Sequence, residues 1–249
     1  MSANGADPAD LFARMTAPEA LREGFARIRR NRSGPGGDGE TPEAFARDLD
    51  GNIARLCAEL RDGRYRPGPL TRYPIPKPDG RKRWLAVPSL RDRIAQGAAA
   101  EVLGAHLDGG FSDASFAYRP GRSVEHAAGR VTTWRLKGFV HVVDGDIADF
   151  FDSVPHRVVI DRLRRRVPFA VRRLVGLWLA SFGQRRWFRA RRGLAQGSPL
   201  SPVLANLVLD PIDHALESRR VKLVRYADDF LLMARTAEAA AAARARMEA

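Results

Sequence analysis

One four-residue stretch, 226–229 (Tyr-Ala-Asp-Asp), restricts the possible folds of this chain more than any other feature. Largely apolar runs flank it at 221–224 and 230–233, so the sequence predicts two strands joined by a tight acidic turn. Adjacent carboxylates repel one another, so a fold keeps Asp228 and Asp229 most readily where a multivalent cation neutralises them. Such pairs also occur at ordinary solvated turns, and the pair alone leaves both interpretations open.

A third carboxylate ends another β-prone run earlier in the chain. Asp146 closes the segment 142–146 (Val-Val-Asp-Gly-Asp), directly before an apolar patch. Oxygen ligands on adjacent strands suit two Mg²⁺ ions, with Mn²⁺ as a substitute. The sequence therefore predicts a metal site formed by Asp146, Asp228 and Asp229.

The charge of the chain points to a polyanionic partner. Its 42 lysines and arginines exceed its 29 aspartates and glutamates, which gives a net charge of +13 and a pI near 11.0. Nucleic acid is the leading candidate. Arginine suits bidentate phosphate contacts, although a GC-rich coding bias would enrich it equally well.

Cysteine content and hydropathy exclude several other classes of protein. The single Cys57 rules out an intramolecular disulfide and a cysteine-rich zinc site. No apolar stretch approaches the roughly 20 residues of a membrane span, and 1–8 has no signal-peptide character. We therefore expect a cytoplasmic protein without a membrane partner.

Local patterns predict a mixture of helices and short hairpins. A capping box at Thr41 opens a helix that runs to Gly63, and an earlier helix is expected at 18–30. Hairpins are expected around 76–80 and at 185–192, and a buried strand at 139–143 leads to Asp146. Further helices are predicted at 91–107, 123–136, 156–166, 168–182, 202–218 and 236–249.

Six segments stand in a distinctive order along the chain. They are 75–80 (Ile-Pro-Lys-Pro-Asp-Gly) with Arg83, 92–96 (Asp-Arg-Ile-Ala-Gln), 115–123 (Ser-Phe-Ala-Tyr-Arg-Pro-Gly-Arg-Ser), 146–151, 196–202 (Gln-Gly-Ser-Pro-Leu-Ser-Pro) and the Tyr-Ala-Asp-Asp turn. In these segments the chain resembles the reverse transcriptases, and most closely their bacterial group II intron-like branch. The resemblance covers about residues 30–235.

The resemblance implies an α+β fold, the fingers and palm of a right-hand polymerase, with helices packed on a small antiparallel sheet. We expect a partly flexible leader at 1–40, an N-terminal extension helix and fingers at 41–138, and the palm at 139–249. The reverse transcriptase domain would span about 65–249. We expect these residues to lack the thumb that follows the palm in the family, which leaves a fragment, a truncated product and a subunit completed by a downstream chain all open.

The resemblance also assigns roles around the metal ions. Asp146 and Asp228 would bridge both metals, and Asp229 would be the weaker supporting ligand. Lys77 and Arg83 match the family's triphosphate contacts, in which an ammonium and a planar guanidinium hold the phosphates.

Further roles concern the incoming nucleotide. Backbone amides from Ile147 onward are suited to donate to triphosphate oxygens. Phe151 lies where the family places an aromatic floor under the sugar, and its ring would clash with a 2′ hydroxyl and so favour deoxynucleotides. Gln196 and Gly197 match the loop that packs against the nascent base pair, where glycine permits close backbone approach.

A basic turn at 118–122 carries the expected template contact. Tyr118, Arg119 and Arg122 suit single-stranded template by stacking and phosphate pairing, and an ordinary loop before a helix is the alternative. A second arginine cluster at 185–192, interleaved with Trp187 and Phe188, would likewise track a nucleic-acid backbone.

Together these features predict an RNA-directed DNA polymerase core that binds an RNA template, a DNA primer and dNTPs. The alternative is a truncated, non-catalytic nucleic-acid-binding or splicing-cofactor protein that keeps the palm. Intron-like, retron-like and CRISPR-adaptation settings all remain open at this point.

Overall fold

The computed structural model describes residues 8–76, 80, 82–182 and 191–248. The chain forms two compact units, each assembled from two separate segments. The first unit comprises Met1–His106 and Phe151–Ser201, and the second comprises Leu107–Phe150 and Pro202–Ala249. The domains expected from the sequence are continuous, and their bounds at 40 and 138 stay a prediction.

The described residues contain helices and strands in the following order. They are α1 (Pro8–Met15), α2 (Pro18–Arg30), α3 (Pro42–Ala46), α4 (Leu49–Arg61), β1 (Thr71–Pro76), β2 (Lys82–Val87), α5 (Leu90–Asp108), α6 (Val124–Leu136), β3 (His141–Asp146), α7 (Phe150–Ser153), α8 (His156–Leu163), α9 (Phe169–Phe182), α10 (Ser201–Leu216), β4 (Val221–Tyr226), β5 (Asp229–Ala234) and α11 (Ala237–Glu248). The six helices predicted from 91 onward are confirmed, with ends that differ by at most three residues. The hairpin expected at 185–192 falls largely outside the described residues.

The leader contributes two helices to the first unit, α1 and α2. Their large apolar side chains recur at helical spacing and are buried, namely Leu11, Met15, Leu21, Phe25 and Ile28. A Cβ added at Gly24 would lie 2.6 Å from the carbonyl oxygen of Ile94, so α2 packs closely on α5. Residues 8–30 therefore belong to the core of the first unit.

The helix expected from Thr41 to Gly63 is interrupted, and the prediction of one continuous helix is wrong. Thr41 caps α3 as predicted, because its side-chain oxygen accepts from the backbone N–H of Ala44 at 3.1 Å. Asp48 then caps α4 by accepting from the N–H of Gly51 at 3.2 Å. A second N-cap residue starts a new helix seven residues into the segment.

The first unit contains the predicted fingers hairpin. β1 and β2 pair antiparallel, from Thr71 opposite Val87 to Pro76 opposite Lys82. The turn residues 77–79 and 81 lie outside the described residues. The half of the hairpin nearest the turn is exposed, whereas Ala86 near its base is buried.

The first unit contains a buried network of polar groups around Asp92. The Tyr65 hydroxyl donates to the carboxylate of Asp92, and the Trp178 indole N–H donates to that hydroxyl at 2.8 Å. The backbone N–H of Gly68 donates to the second Asp92 oxygen at 2.8 Å. Burial raises the pKa of Asp92 and of Tyr65. Each polar group has a partner, as a buried network requires.

The second unit is built on a three-stranded antiparallel sheet in the order β3-β5-β4. Helix α11 packs on all three strands, and Ala243 on α11 joins Leu223 and Phe230 in one apolar cluster. Helix α6 packs on β4, where Val224 joins a different cluster that contains Ala127. Successive residues of a strand point to opposite faces, so the two helices cover opposite faces of the sheet.

The strand that carries Asp146 is not buried, so the prediction of a buried strand is wrong. β3 lies at the edge of the sheet, and Val142 is 50% exposed. Val143, which points to the other face, packs against the apolar cluster on α11. The apolar run at 139–143 therefore belongs to a strand covered on one face only.

Candidate active site

The predicted acidic turn joins β4 to β5 with two residues outside the ladder. Tyr226 pairs with Asp229, which leaves Ala227 and Asp228 at the tip. Ala227 has a φ of 61°, in the left-handed region that tight hairpin turns use and that glycine and asparagine favour. An alanine in this region costs about 1 kcal/mol, so the surroundings must hold the turn in place.

Strand β3 brings the third predicted carboxylate to the same end of the sheet. Asp146 lies directly opposite Asp229 in the antiparallel register. Directly opposite residues of an antiparallel pair have Cβ atoms about 5 Å apart, and like charges there destabilise the sheet. Asp144 lies two residues earlier on the same face of β3, so a fourth carboxylate is close by.

The electrostatics of this end of the sheet reflect mutual repulsion. Partial burial raises the pKa of Asp229, and the charges of Asp146, Asp228 and Asp144 raise it further. Within the described residues, Asp146, Asp228 and Asp229 form no ion pair with a basic side chain. Carboxylate oxygens that repel one another fit a hard divalent cation, which would relieve the repulsion.

The backbone gathers these acids, but their side chains do not form a closed cluster. In the part of the chain that the structure describes, no group of three His, Cys, Asp or Glu side chains is close enough together to hold a metal ion. The metal roles of the three aspartates therefore stay predictions.

The sequence model of the family described as Reverse transcriptase (RNA-dependent DNA polymerase) matches residues 75–249. The chain belongs to the reverse transcriptase family. Protein YkfC of Escherichia coli (strain K12) is 35% identical over 223 residues, which cover 84% of this chain and 57% of YkfC. The group II intron-encoded protein LtrA of Lactococcus lactis subsp. cremoris is 28% identical over 190 residues, 75% of this chain and 31% of LtrA. The chain thus spans just over half of one relative and about a third of the other.

Solved structures show the same fold. A chain of a partial Cas6-RT-Cas1–Cas2 complex matches 95% of this chain and 41% of its own length, with a TM-score of 0.53 and 27% identity. Apo telomerase from Candida tropicalis, truncated from its C-terminal domain, matches 77% of this chain and 50% of its own, with a TM-score of 0.54 and 13% identity. The α+β fingers-and-palm fold of a right-hand polymerase, predicted from the sequence, is confirmed.

The first unit of this reverse transcriptase holds the predicted triphosphate and base-pair residues. Arg83 is exposed on β2, and Lys77 lies outside the described residues. The carbonyl of Gln196 accepts from the N–H of Ala86 at 2.8 Å. Gly197 has a φ of 133°, and a Cβ there would lie 2.6 Å from the Ala86 carbonyl oxygen. Glycine is therefore required by the approach of this loop to β2, and its role at the base pair stays a prediction.

The same loop is anchored on α5. The Ser198 hydroxyl donates to the side-chain oxygen of Gln96 at 2.8 Å, and both residues are buried. Both belong to segments that carry the family resemblance. Their spacing of 102 residues in the chain gave no sequence signal that they meet.

Residues 147 and 151 fall in different units. In the second unit, the Ile147 carbonyl accepts from the N–H of Phe150 at 3.2 Å, which closes a turn directly after β3. Ile147 also packs against the apolar cluster on α11. In the first unit, the Phe151 carbonyl accepts from the N–H of Leu194 at 2.6 Å, and the Phe151 side chain is half-buried.

The basic turn at 118–122 directs its arginines inward. Arg119 is 7% exposed, and its guanidinium donates to Asp108 at 2.6 Å and to backbone carbonyls including that of Ser112. Arg122 donates to Asp113 at 2.7 Å, and this contact lowers the pKa of Asp113. Tyr118, in contrast, is 52% exposed. The arginines hold the turn in shape, and the template role of all three residues stays a prediction.

Sequence reasoning missed the residue that precedes the acidic turn. Arg225 is 2% exposed and forms a bidentate ion pair with Asp213 on α10, with both contacts at 2.6 Å. Its only sequence signal is an arginine within a largely apolar strand. A buried guanidinium needs a carboxylate partner, and that partner lies 12 residues away in the chain.

None of the described helices is both long enough and apolar enough to cross a membrane.

Proposed function

We propose that this chain is the core of an RNA-directed DNA polymerase that transfers dNMP from a dNTP to the 3′ hydroxyl of a DNA primer on an RNA template. The observation that supports it most strongly is the register pair of Asp146 and Asp229 beside Asp228, in a chain of the reverse transcriptase family. Asp146 and Asp229 come from two strand ends, and Asp228 comes from the turn between β4 and β5.

The proposed cofactor is a pair of Mg²⁺ ions, for which Mn²⁺ can substitute. Asp146 and Asp228 would hold both ions, and Asp229 would support them. Metal ions held there would supply the lowered pKa of the primer 3′ hydroxyl and the charge that stabilises the leaving pyrophosphate. Partial burial is the main cause of the raised pKa of Asp229, and the like charges that add to it are the ones that a cation would offset, which supports this assignment.

The protein's own groups would position the nucleotide. Lys77 and Arg83 contact the triphosphate, where the planar guanidinium offers paired donors to phosphate oxygens. Backbone amides of the turn that begins at Ile147 donate to the same phosphates. The exposure of Arg83 on the fingers hairpin is consistent with this role.

The remaining proposed contacts concern the template. Gln196 and Gly197 pack against the nascent base pair, and Tyr118 stacks on a template base, since its ring is 52% exposed. Arg119 and Arg122 contribute positive charge and shape at that turn, although their donors already bind protein acceptors.

Phe151 is proposed to exclude the 2′ hydroxyl of ribonucleotides. Phe151→Ala is expected to raise incorporation of rNTPs relative to dNTPs by about tenfold or more, because a small side chain no longer clashes with the hydroxyl. Steady-state incorporation of UTP and dTTP measures this ratio. Phe169→Ala, which removes a 69% exposed ring on α9, is the matched control and should leave the ratio unchanged. An unchanged ratio in Phe151→Ala would contradict the assignment.

The biological setting is proposed only as far as the relatives support it. The name of LtrA refers to a group II intron, and one matched structure is a Cas6-RT-Cas1–Cas2 complex. We infer that this chain works in the cytoplasm within a larger assembly or longer protein. The matched relatives extend well beyond the length of this chain.

The proposed activity is tested by primer extension on poly(rA)/oligo(dT) with dTTP and Mg²⁺. The unmodified chain should extend the primer, and the double variant Asp228→Ala, Asp229→Ala should lose at least about 1,000-fold, since metal-dependent stabilisation amounts to several kcal/mol. Asp50→Ala removes an exposed aspartate of α4 and should retain full activity. Equal extension by the double variant would refute the proposal. Duplex binding without extension by any variant would favour a nucleic-acid-binding role for this chain.

A further inference from the structure

The residue that precedes the acidic turn, Arg225, is buried in a way that catalysis by the three aspartates does not explain. The residue is 2% exposed, and its strand neighbours Leu223 and Val224 are buried apolar residues. A guanidinium in such a place is tolerated only when its donors are satisfied and its charge is paired.

All five N–H donors of Arg225 have protein acceptors. Two donate to the carboxylate of Asp213 at 2.6 Å each, one to the Asn206 side-chain oxygen at 3.0 Å and one to the Ser115 hydroxyl at 2.8 Å. The fifth donates to the backbone carbonyl of Ala227 at 2.8 Å. Four donors thus bind the interior of the second unit, and one binds the tip of the acidic turn.

The acceptors are themselves fixed. Asn206 donates to the Ala117 carbonyl at 2.9 Å, and Asn206 and Asp213 both belong to α10. The backbone of Arg225 is held as well, since its N–H donates to the Ala114 carbonyl at 2.8 Å and its own carbonyl accepts from Phe116 at 3.0 Å. The planar guanidinium has a rigid fork geometry, so the contacts that fix its position also fix the Ala227 carbonyl to which it donates.

The turn needs such a contact because Ala227 is in the left-handed region. The carbonyl of Ala227 belongs to the peptide group that leads into Asp228. Fixing that carbonyl fixes the plane of the peptide, and with it the direction in which the Asp228 side chain leaves the backbone.

We propose that Arg225 is a positioning residue for the acidic turn, which it couples to α10 through Asp213 and Asn206 so that Asp228 and Asp229 are preorganised for cation binding. This inference rests on the proposed function. Arg225 acts through geometry rather than charge, because its charge is already paired with Asp213. It contacts neither substrate nor metal.

Arg225→Lys tests this directly, because lysine keeps the charge beside Asp213 but lacks the planar fork that also reaches the turn. We expect kcat for dTTP incorporation to fall about 10- to 100-fold with KM for dTTP changed less than about twofold, as for other residues that orient metal ligands. Mn²⁺ affinity, measured by electron paramagnetic resonance without nucleic acid, should fall at least about tenfold. Hydrogen exchange of the peptide that contains 226–229 should accelerate.

Leu216→Ala is the matched control for loss of stability. It truncates a buried residue of α10 that lies in the apolar core. Assayed below the melting temperatures of all variants, it should leave kcat, Mn²⁺ affinity and exchange of the turn unchanged. Ser115→Ala removes one acceptor of the guanidinium and leaves the ion pair with Asp213. It should show the same changes as Arg225→Lys, with smaller magnitudes. It replaces Arg225→Lys if the lysine variant does not fold.

The outcomes separate the two proposals. Accelerated hydrogen exchange at 226–229 in Arg225→Lys but not in Leu216→Ala supports the positioning role. This holds whether or not the unmodified chain is active. If the unmodified chain neither extends primers nor binds Mn²⁺, the proposed function is refuted instead. Exchange that matches the Leu216→Ala control would overturn the positioning role, whatever the activity.

Discussion

In the second unit, one buried aspartate and a group of exposed aspartates have opposite electrostatic surroundings. Asp213 is 1% exposed, and both its carboxylate oxygens accept from Arg225. Asp146 and Asp229 are exposed and lie opposite each other, and neither forms an ion pair within the described residues. A fold must neutralise a charge that it buries, whereas an uncompensated group of charges at the end of a sheet is available to a ligand.

The largest effect that this contrast predicts concerns the stability of the buried group. Asp213→Ala leaves the Arg225 guanidinium buried without its counter-ion, and breaking a buried pair in this way costs about 3–5 kcal/mol. Urea denaturation should show a midpoint shifted down accordingly. If the free energy of unfolding fell by less than about 1 kcal/mol, Arg225 would have other partners. The buried and exposed aspartates would then not differ as proposed.

A smaller effect of opposite sign is expected at the exposed group. Asp229→Asn removes one of the repelling charges opposite Asp146, so in EDTA at neutral pH it should raise the melting temperature by about 1–3 °C. Asp50→Asn, at an exposed site that is paired with Arg22, should not raise it. A decrease for Asp229→Asn would show that the carboxylate stabilises the turn.

The pH dependence of this gain follows from the raised pKa of Asp229. A carboxyl whose pKa is higher in the folded state costs stability as the pH rises from its ordinary value of 3.8 through the raised value, and the full cost persists at neutral pH. The difference in melting temperature between Asp229→Asn and the unmodified chain should therefore shrink as the pH falls toward 3.8. A difference that does not change with pH would contradict a charge effect.

The smallest predicted effect is a response to Mg²⁺. A cation that binds only the folded state raises the melting temperature, by an amount that depends on its concentration relative to its dissociation constant. Millimolar Mg²⁺ should raise the melting temperature of the unmodified chain by about 1–2 °C. Asp228→Asn should abolish the increase, whereas Asp50→Asn should retain it.

The acidic hairpin was predictable because its information is local. Two apolar runs around the acidic stretch 226–229 predict two strands joined by a tight turn, and the structure pairs Tyr226 with Asp229 across that turn. The edge position of β3 was not predictable in the same way. Whether the apolar run before Asp146 is covered on one face or on both depends on which strands lie beside it, and local sequence does not contain that information.

Side-chain contacts that the local sequence pattern does not specify account for the remaining differences. Arg119 and Arg225 are buried basic residues that form structural contacts with Asp108 and Asp213. The composition indicates only an excess of arginine, because it does not distinguish a surface arginine from a buried one. Similarly, Thr41 and Asp48 are both residue types that cap helices, and packing determines that each begins a separate helix.

We propose that Asp146, Asp228 and Asp229 together bind divalent cations. The most direct test is cleavage of the protein backbone by hydroxyl radicals that Fe²⁺, bound in place of Mg²⁺, generates with ascorbate and peroxide. We predict cuts near 146 and near 228, both suppressed by excess Mg²⁺ and both lost in Asp228→Ala but not in Asp50→Ala. Cleavage at other positions only, or cuts near 146 and 228 that persist in Asp228→Ala, would contradict the claim.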